Sequence, residues 1–190
     1  NNEITLAGDK NAIDLDDGNN GDFTIESNAI EGNENAVTGV SLATSGAFGN
    51  GNVTVTDGSI NATQSGINSS NSLGDNVDIS GVEITNVDNN GIDIDQMTTL
   101  TVDGISVDSS PNANAILLQD SGVSSADITN VDINHTDVGI DFSEGTNAND
   151  LNITNSEITN AGTAGIQLNN NGSDVQIRAH FNTLSNNAQA

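Results

Sequence analysis

NNGIDIDQ, residues 89–96, carries a glycine followed by two isoleucines spaced two apart. DVGIDFSE (137–144) and TAGIQLNN (163–170) repeat the arrangement, and NAILLQD (114–120) fills the interval between residues 96 and 137. Extended in both directions, the pairs form a ladder: Ile13/Leu15, Val40/Leu42, Ile67 with Ser69, Ile92/Ile94, Ile116/Leu118, Ile140/Phe142 and Ile166/Leu168. Its first members lie 24 to 27 residues apart. Apolar residues two apart belong on one face of a strand, so each pair predicts a short strand with one side buried.

A second ladder keeps the same rhythm: Phe23/Ile25, Val53/Val55, Val77/Ile79, Leu100/Val102, Ala126/Ile128, Leu151/Ile153 and Val175/Ile177. A third stands seven residues after each of the first six members of the second, at Ile30, Ile60, Ile84, Val107, Ile133 and Ile158. That offset stays constant while the connecting loops vary. Three short strands in a repeat of about 25 residues predict one coil of a parallel β-solenoid. The expected fold is therefore all-β, a single-stranded solenoid of about seven coils filling residues 1–190 as one domain. Residues 178–190 read as an irregular C-terminal end or partial cap, with Phe181 and Leu184 laid over the last coil.

The turn positions agree with this reading. Gly81, Gly104, Asn130 and Asn155 fall between the second and third ladders, and Gly and Asn tolerate left-handed backbone. A stack of such asparagines would pair amides from coil to coil. Gly39, Gly66, Gly91, Gly139 and Gly165 precede the first-ladder aliphatics and read as bends. Pro111 falls in the loop SSPNAN, where it removes no ladder hydrogen bond.

Composition narrows both fold and function. The chain has four Phe and no Trp, Tyr or Cys, so its interior must be Ile, Val, Leu and Ala, without disulfides or thiolate metal sites. Two basic residues against 27 acidic ones give a formal charge of −25. Such a charge repels nucleic-acid phosphates and anionic membranes. No apolar run approaches the roughly 18 residues of a spanning helix, so membrane insertion of this segment is not expected. The chain does not open on Met and reads as a piece of a longer protein.

The repeat grammar resembles the right-handed parallel β-helix of the pectin-lyase-like superfamily, from about Ile13 to Ile177. The right hand is implied by that resemblance. It also looks like the passenger or stalk regions of autotransporters and very large secreted adhesins, often acidic, Cys-free and rich in Asn, Thr and Gly. This implies an extracellular or bacterial cell-surface location and a non-catalytic scaffold. A host-cell glycan or surface protein is then the expected partner, met through the loops at 43–52, 69–76, 109–115 and 143–150.

Many β-helices of that superfamily cleave acidic polysaccharides, which takes recognisable equipment. Lyases of the family pair a basic residue with calcium-binding carboxylates, and this chain offers only Lys10 and Arg178, 168 residues apart. The hydrolases cluster Asp with His and basic groups; here the adjacent pair is Asp16–Asp17, and His135 and His180 lie 45 residues apart. Neither pattern is present. Two alternatives stay open: a carbohydrate-active β-helix, including tailspike depolymerases, with its active coils elsewhere, and a purely structural acidic solenoid.

Calcium is the one cofactor with sequence support. DLDDGNNGD (14–22) offers Asp14, Asp16, Asp17 and Asp22 between glycines, like the acidic half of an EF-hand loop without its closing Glu. NVDNNGIDID (86–95) is a second candidate, with Asp88, Asn90, Asp93 and Asp95, although Asp93 and Asp95 also read as solvated outward residues of a strand. Phe23 and Phe142 read as core, and Phe48 as a loop residue. Thr54 and Thr101 suggest an ice-binding Thr array, but their column is expected to hold Asp78, Asp127 and Asn152.

Overall fold

A computed structural model describes residues 2–6, 8, 10–15, 21–32, 38–42, 51–61, 64–69, 76–95, 97–109, 112–119, 123–144, 150–168 and 176–188. All regular structure among them is β, every strand pair is parallel, and there is no helix. The chain is a parallel β-solenoid. First-ladder residues form a seven-stranded sheet running from Ile13–Leu15 to Ala164–Leu168. The second and third ladders join in one twelve-stranded sheet. The stack amounts to about five turns, against the seven coils expected. Five strands of the seven-stranded sheet have neighbours on both sides, and the two terminal ones are edges.

The expected register is observed. Ile67 stands on Ile92, Ile92 on Ile116 and Ile116 on Ile140 in the first wall. In the second wall, Thr54 pairs with Asp78, Asp78 with Thr101, Thr101 with Asp127 and Asp127 with Asn152, so no Thr array forms. Ile and Val from all three walls meet inside, and most are below 4 % exposed. Phe142 is buried among them, and Phe23 packs on them from the first coil.

The corner between second and third walls has a left-handed residue in each coil, joined at Gly58 by a second positive φ beside Asp57. Ser27, Asp57, Gly81, Gly104, Asn130, Asn155 and Phe181 all have φ between 51° and 63°. In the early coils this residue bends one long strand, as in Phe23–Glu31, Asn52–Asn61 and Asn76–Thr85. In later coils it separates two, such as Ser125–Thr129 and Asp132–Asn134. A second left-handed column, Asn86, His135, Asn160 and Asn186, closes the third wall. At both corners, hydroxyl and amide of a Thr-Asn pair converge on one acceptor in the coil before. Thr129 and Asn130 donate to Asp103 Oδ1, Thr85 and Asn86 to Asn61 Oδ1, and Thr159 and Asn160 to Asn134 Oδ1. Asn-to-Asn pairing thus occurs at the corner after the third wall, whereas Asn130 bonds a carboxylate.

Three expectations change. The glycines before the first-ladder aliphatics are not bends. They lie inside buried strands, and a Cβ at Gly139 would collide with the Gly165 carbonyl and the Ile158 side chain. Glycine is there for the close approach of first and third walls. Asp93 faces outward as expected but is only 7 % exposed, and outward Ser41, Leu117 and Asp141 are buried as well. The described C-terminal residues, finally, include strands where an irregular end or partial cap was expected. Gln176–His180 and Thr183–Ser185 continue both walls, with Leu151 over Ile177 and Ile158 over Leu184. Ile177 therefore begins the last second-wall pair, two residues later than Val175, because only then does Leu184 complete the offset of seven.

Candidate binding face

Second-wall residues that point outward form a lattice. Along a strand, alternate side chains leave on the same face; across strands, in-register neighbours repeat at about 4.8 Å. Asp22, Asn52, Asn76 and Thr99 make one column, and Thr24, Thr54, Asp78 and Thr101 the next. The eight residues line an open trough of about 380 Å³. Its first column is tied by amides: Asn76 Nδ2 donates to Asn52 Oδ1 at 2.8 Å, and Asn52 Nδ2 donates to Asp22 Oδ1 at 3.1 Å. The Asn52 backbone N–H reaches the same Asp22 oxygen at 3.0 Å. These bonds fix the side-chain rotamers before any ligand arrives, which lowers the entropic cost of binding.

The third wall carries a second, more acidic groove of about 260 Å³, bordered by Ser106, Asp108, Asp132, Asn134, Glu157 and Thr159. Asp132 stands directly opposite Glu157, a like-charge pair that opposes folding. His135, at the corner beside this groove, has Nδ1 3.4 Å from Asp108 and 2.8 Å from Asn134 Nδ2. Asp103, at the neighbouring corner, has its pKa lowered by the hydrogen bonds from Asn130 and then Thr129, which favour its charged form.

Of the calcium residues read from the sequence, Asp14 and Asp22 fall among the described residues. Asp14 lies in the first-wall strand Ile13–Leu15, where Asn11 Nδ2 donates to it at 3.3 Å. Asp22 lies at the head of the second wall with Asn52. Asp16 and Asp17 fall outside the described residues, as do Phe48, Pro111 and much of the variable loops. In the second candidate, Asp93 is clasped by Asn90 Nδ2 at 2.9 Å and Gln119 Nε2 at 2.8 Å. Asn114 continues the tie, its backbone N–H on Asn90 Oδ1 and its amide on Asp141 Oδ2 at 3.2 Å. The carboxylates thus accept hydrogen bonds from amide donors of their own and adjacent coils. Among the described residues, no group of three or more His, Asp or Glu is arranged to hold a metal ion.

The basic residues sit near opposite ends of the rod. Arg178 bonds Asp150 and Gln176, and His180 packs near Phe181 with ring centroids 6.3 Å apart. The trough was not anticipated from sequence, although its signal was present. Once the ladders are aligned, the residues between and beside the inward pairs fall into polar columns without further information. No described helix is long and apolar enough to cross a membrane. Comparison of the chain with protein-family models, curated proteins and solved structures finds no match.

Proposed function

We propose that this chain is a segment of a bacterial cell-surface or secreted protein, an adhesin-like β-helix of the pectin-lyase-like kind, acting as stalk and binding scaffold. One observation carries the reading. The outward polar lattice of the second wall is pre-ordered on strands whose register runs unbroken along that wall from Phe23 to Ile177. A rigid lattice of hydroxyls, amides and carboxylates suits a polyhydroxylated ligand such as a host glycan, since each rung offers donors and acceptors at a fixed spacing. Calcium bound to the acidic surface relieves self-repulsion and bridges ligand hydroxyls to carboxylates.

The experiment is a binding screen against glycans and host-cell surfaces, in calcium and again in chelator. Saturable binding that weakens on Asp78→Ala and Thr101→Val supports the second-wall face. Binding indifferent to both, or no binding at all, removes recognition from this segment and leaves the stalk role.

A second reading, a polysaccharide-cleaving β-helix, is favoured by the carboxylates bordering the third-wall groove, Asp108, Asp132 and Glu157. Release of new reducing ends from an acidic or neutral polysaccharide, abolished by Glu157→Gln, is its signature.

A further inference from the structure

Aspartate or asparagine followed by glycine carries a latent reaction. The glycine amide nitrogen attacks the side-chain Cγ, unhindered because glycine has no Cβ, and closes a five-membered succinimide. From aspartate, the N–Cγ bond forms, the nitrogen loses its proton and the carboxyl oxygen leaves as water. Water then opens the ring. Attack at Cγ restores aspartate, and attack at the main-chain carbonyl leaves isoaspartate, its backbone running through Cβ. One water is lost and one gained, with no oxidant or reductant. Asparagine enters the same ring by losing ammonia, and does so faster in an unstructured peptide.

Three such bonds lie wholly among the described residues: Asp57–Gly58, Asn90–Gly91 and Asp103–Gly104. We propose that the fold reverses their order and makes Asp57–Gly58 a site of spontaneous modification to isoaspartate. Asn90–Gly91 is locked in a strand of the first wall that has neighbours on both sides. Asn90 Nδ2 donates to Asp93 at 2.9 Å, Asn90 Oδ1 accepts from the Asn114 N–H, and Gly91 is buried against the Ala115 carbonyl. Asp103–Gly104 is held at both reacting ends. Asp103 Oδ1 accepts from Thr129 at 2.9 Å and from Asn130 at 2.7 Å, and the Gly104 N–H donates to the Thr129 carbonyl at 3.1 Å. The bonds to Asp103 also favour its ionised form, whereas ring closure proceeds from the neutral acid.

Asp57 lacks these restraints. It is exposed, and among the described residues its carboxylate accepts no hydrogen bond. The ladder passes it by: Thr56 and Gly58 have register partners in the coils before and after, and Asp57 has none. Among the described corners, it alone begins two successive residues of positive φ, 53° at Asp57 and 118° at Gly58. For a residue with a side chain that conformation is uncommon. The carboxylate lies over Gly81 of the next coil, where a Cβ would come within 2.6 Å of Oδ1. The product fits poorly. A Cβ at Gly58 would run into the Asn28 carbonyl, so a corner lengthened by one methylene must give up its contact with the coil before.

The test is storage of the full folded chain for weeks near neutral pH, followed by isoaspartyl-methyltransferase labelling and Asp-N digestion. Asp-N cuts before aspartate and not before isoaspartate, so modification at residue 57 appears as a missed cut in a methylated peptide. The clasped sites react only through local opening, so label at Asp57 is expected to grow at least about tenfold faster than at Asn90 or Asp103. In urea the order is expected to return, with Asn90 fastest. Asp57→Ser places there the residue of the preceding corner, Ser27, and is expected to abolish this label with an unchanged far-UV circular dichroism spectrum. Asn130→Gly suits φ 54° and removes one clamp, so it is expected to raise the rate at Asp103 and leave that at Asp57 unchanged. Absence of label at Asp57 in the folded chain overturns the proposal. So does label that grows as fast at Asn90 or Asp103.

Discussion

Thr136 shows how narrowly the interior is specified. It is fully buried, its hydroxyl has no hydrogen-bond partner, and the corresponding position two turns earlier in the grammar is Val87, equally buried. Thr136→Val removes an unsatisfied hydroxyl while keeping the β-branched shape. It is expected to stabilise by about 1 kcal/mol, a rise in Tm of roughly 2–4 °C, checked by thermal melts of both proteins. Asp103 makes the opposite case, a charge held by partners. Its folded-state pKa is lowered by Asn130 and Thr129, so its contribution is present above the ordinary aspartate pKa and is lost as pH falls through the lowered value. Asp103→Asn is therefore expected to flatten the acid limb of the stability–pH curve below the ordinary aspartate range, leaving the limb above pH 6 unchanged. Because Asp103 is at the surface, the effect on stability is small. An unaltered acid limb in urea titrations at stepped pH would show that the clamp does not favour the ionised form.

At the scale of the strand, the tightest constraint is the glycine column of the first wall. Gly39, Gly66, Gly91, Gly139 and Gly165 let the backbones of successive coils and the third-wall side chains close together, and Ala115 occupies the position between Gly91 and Gly139. Gly139→Ala is expected to destabilise by about 1–3 kcal/mol through overpacking, although alanine favours strand backbone over glycine. A measured stabilisation would mean the walls can separate there without cost. Leu118, wholly buried in the strand Asn114–Gln119, tests the opposite perturbation. Leu118→Ala leaves a cavity in the middle of the stack, where neighbours on both sides resist collapse, and is expected to cost roughly 2–5 kcal/mol by chemical denaturation.

For the whole molecule, the balance is between a dry aliphatic column and a surface of like charge. The core is quasi-one-dimensional, so its stability is a sum of coil-to-coil contacts, while repulsion at −25 acts along the whole rod. Added sodium chloride screens that repulsion beyond about 8–10 Å. Tm is therefore expected to climb between 10 mM and 500 mM salt, by about 2–4 °C for each kcal/mol relieved. A flat or falling Tm would show that amide ties such as Asn52 on Asp22 and Gln119 on Asp93 already offset the charge.

The sequence by itself determined the solenoid, because a period-two alternation recurring about every 25 residues, with a fixed offset of seven, admits few other packings. It also determined which residues stack, since parallel in-register walls turn equal ladder positions into neighbours; the Thr54–Asp78–Thr101 column was legible for that reason. The last rung was legible too, had the offset of seven outweighed the equal parity of Val175 and Ile177. Tertiary structure alone decided which outward residues are enclosed as well. Asp93 alternates with isoleucines just as a solvated residue does, and only the coils around it show that its carboxylate is enclosed by Asn90 and Gln119. It decided the meaning of the glycines, because a bend and a close approach leave the same residue in a sequence. It likewise set Phe181 outside the rod: a left-handed corner has no inward direction for a side chain, whatever its hydrophobicity.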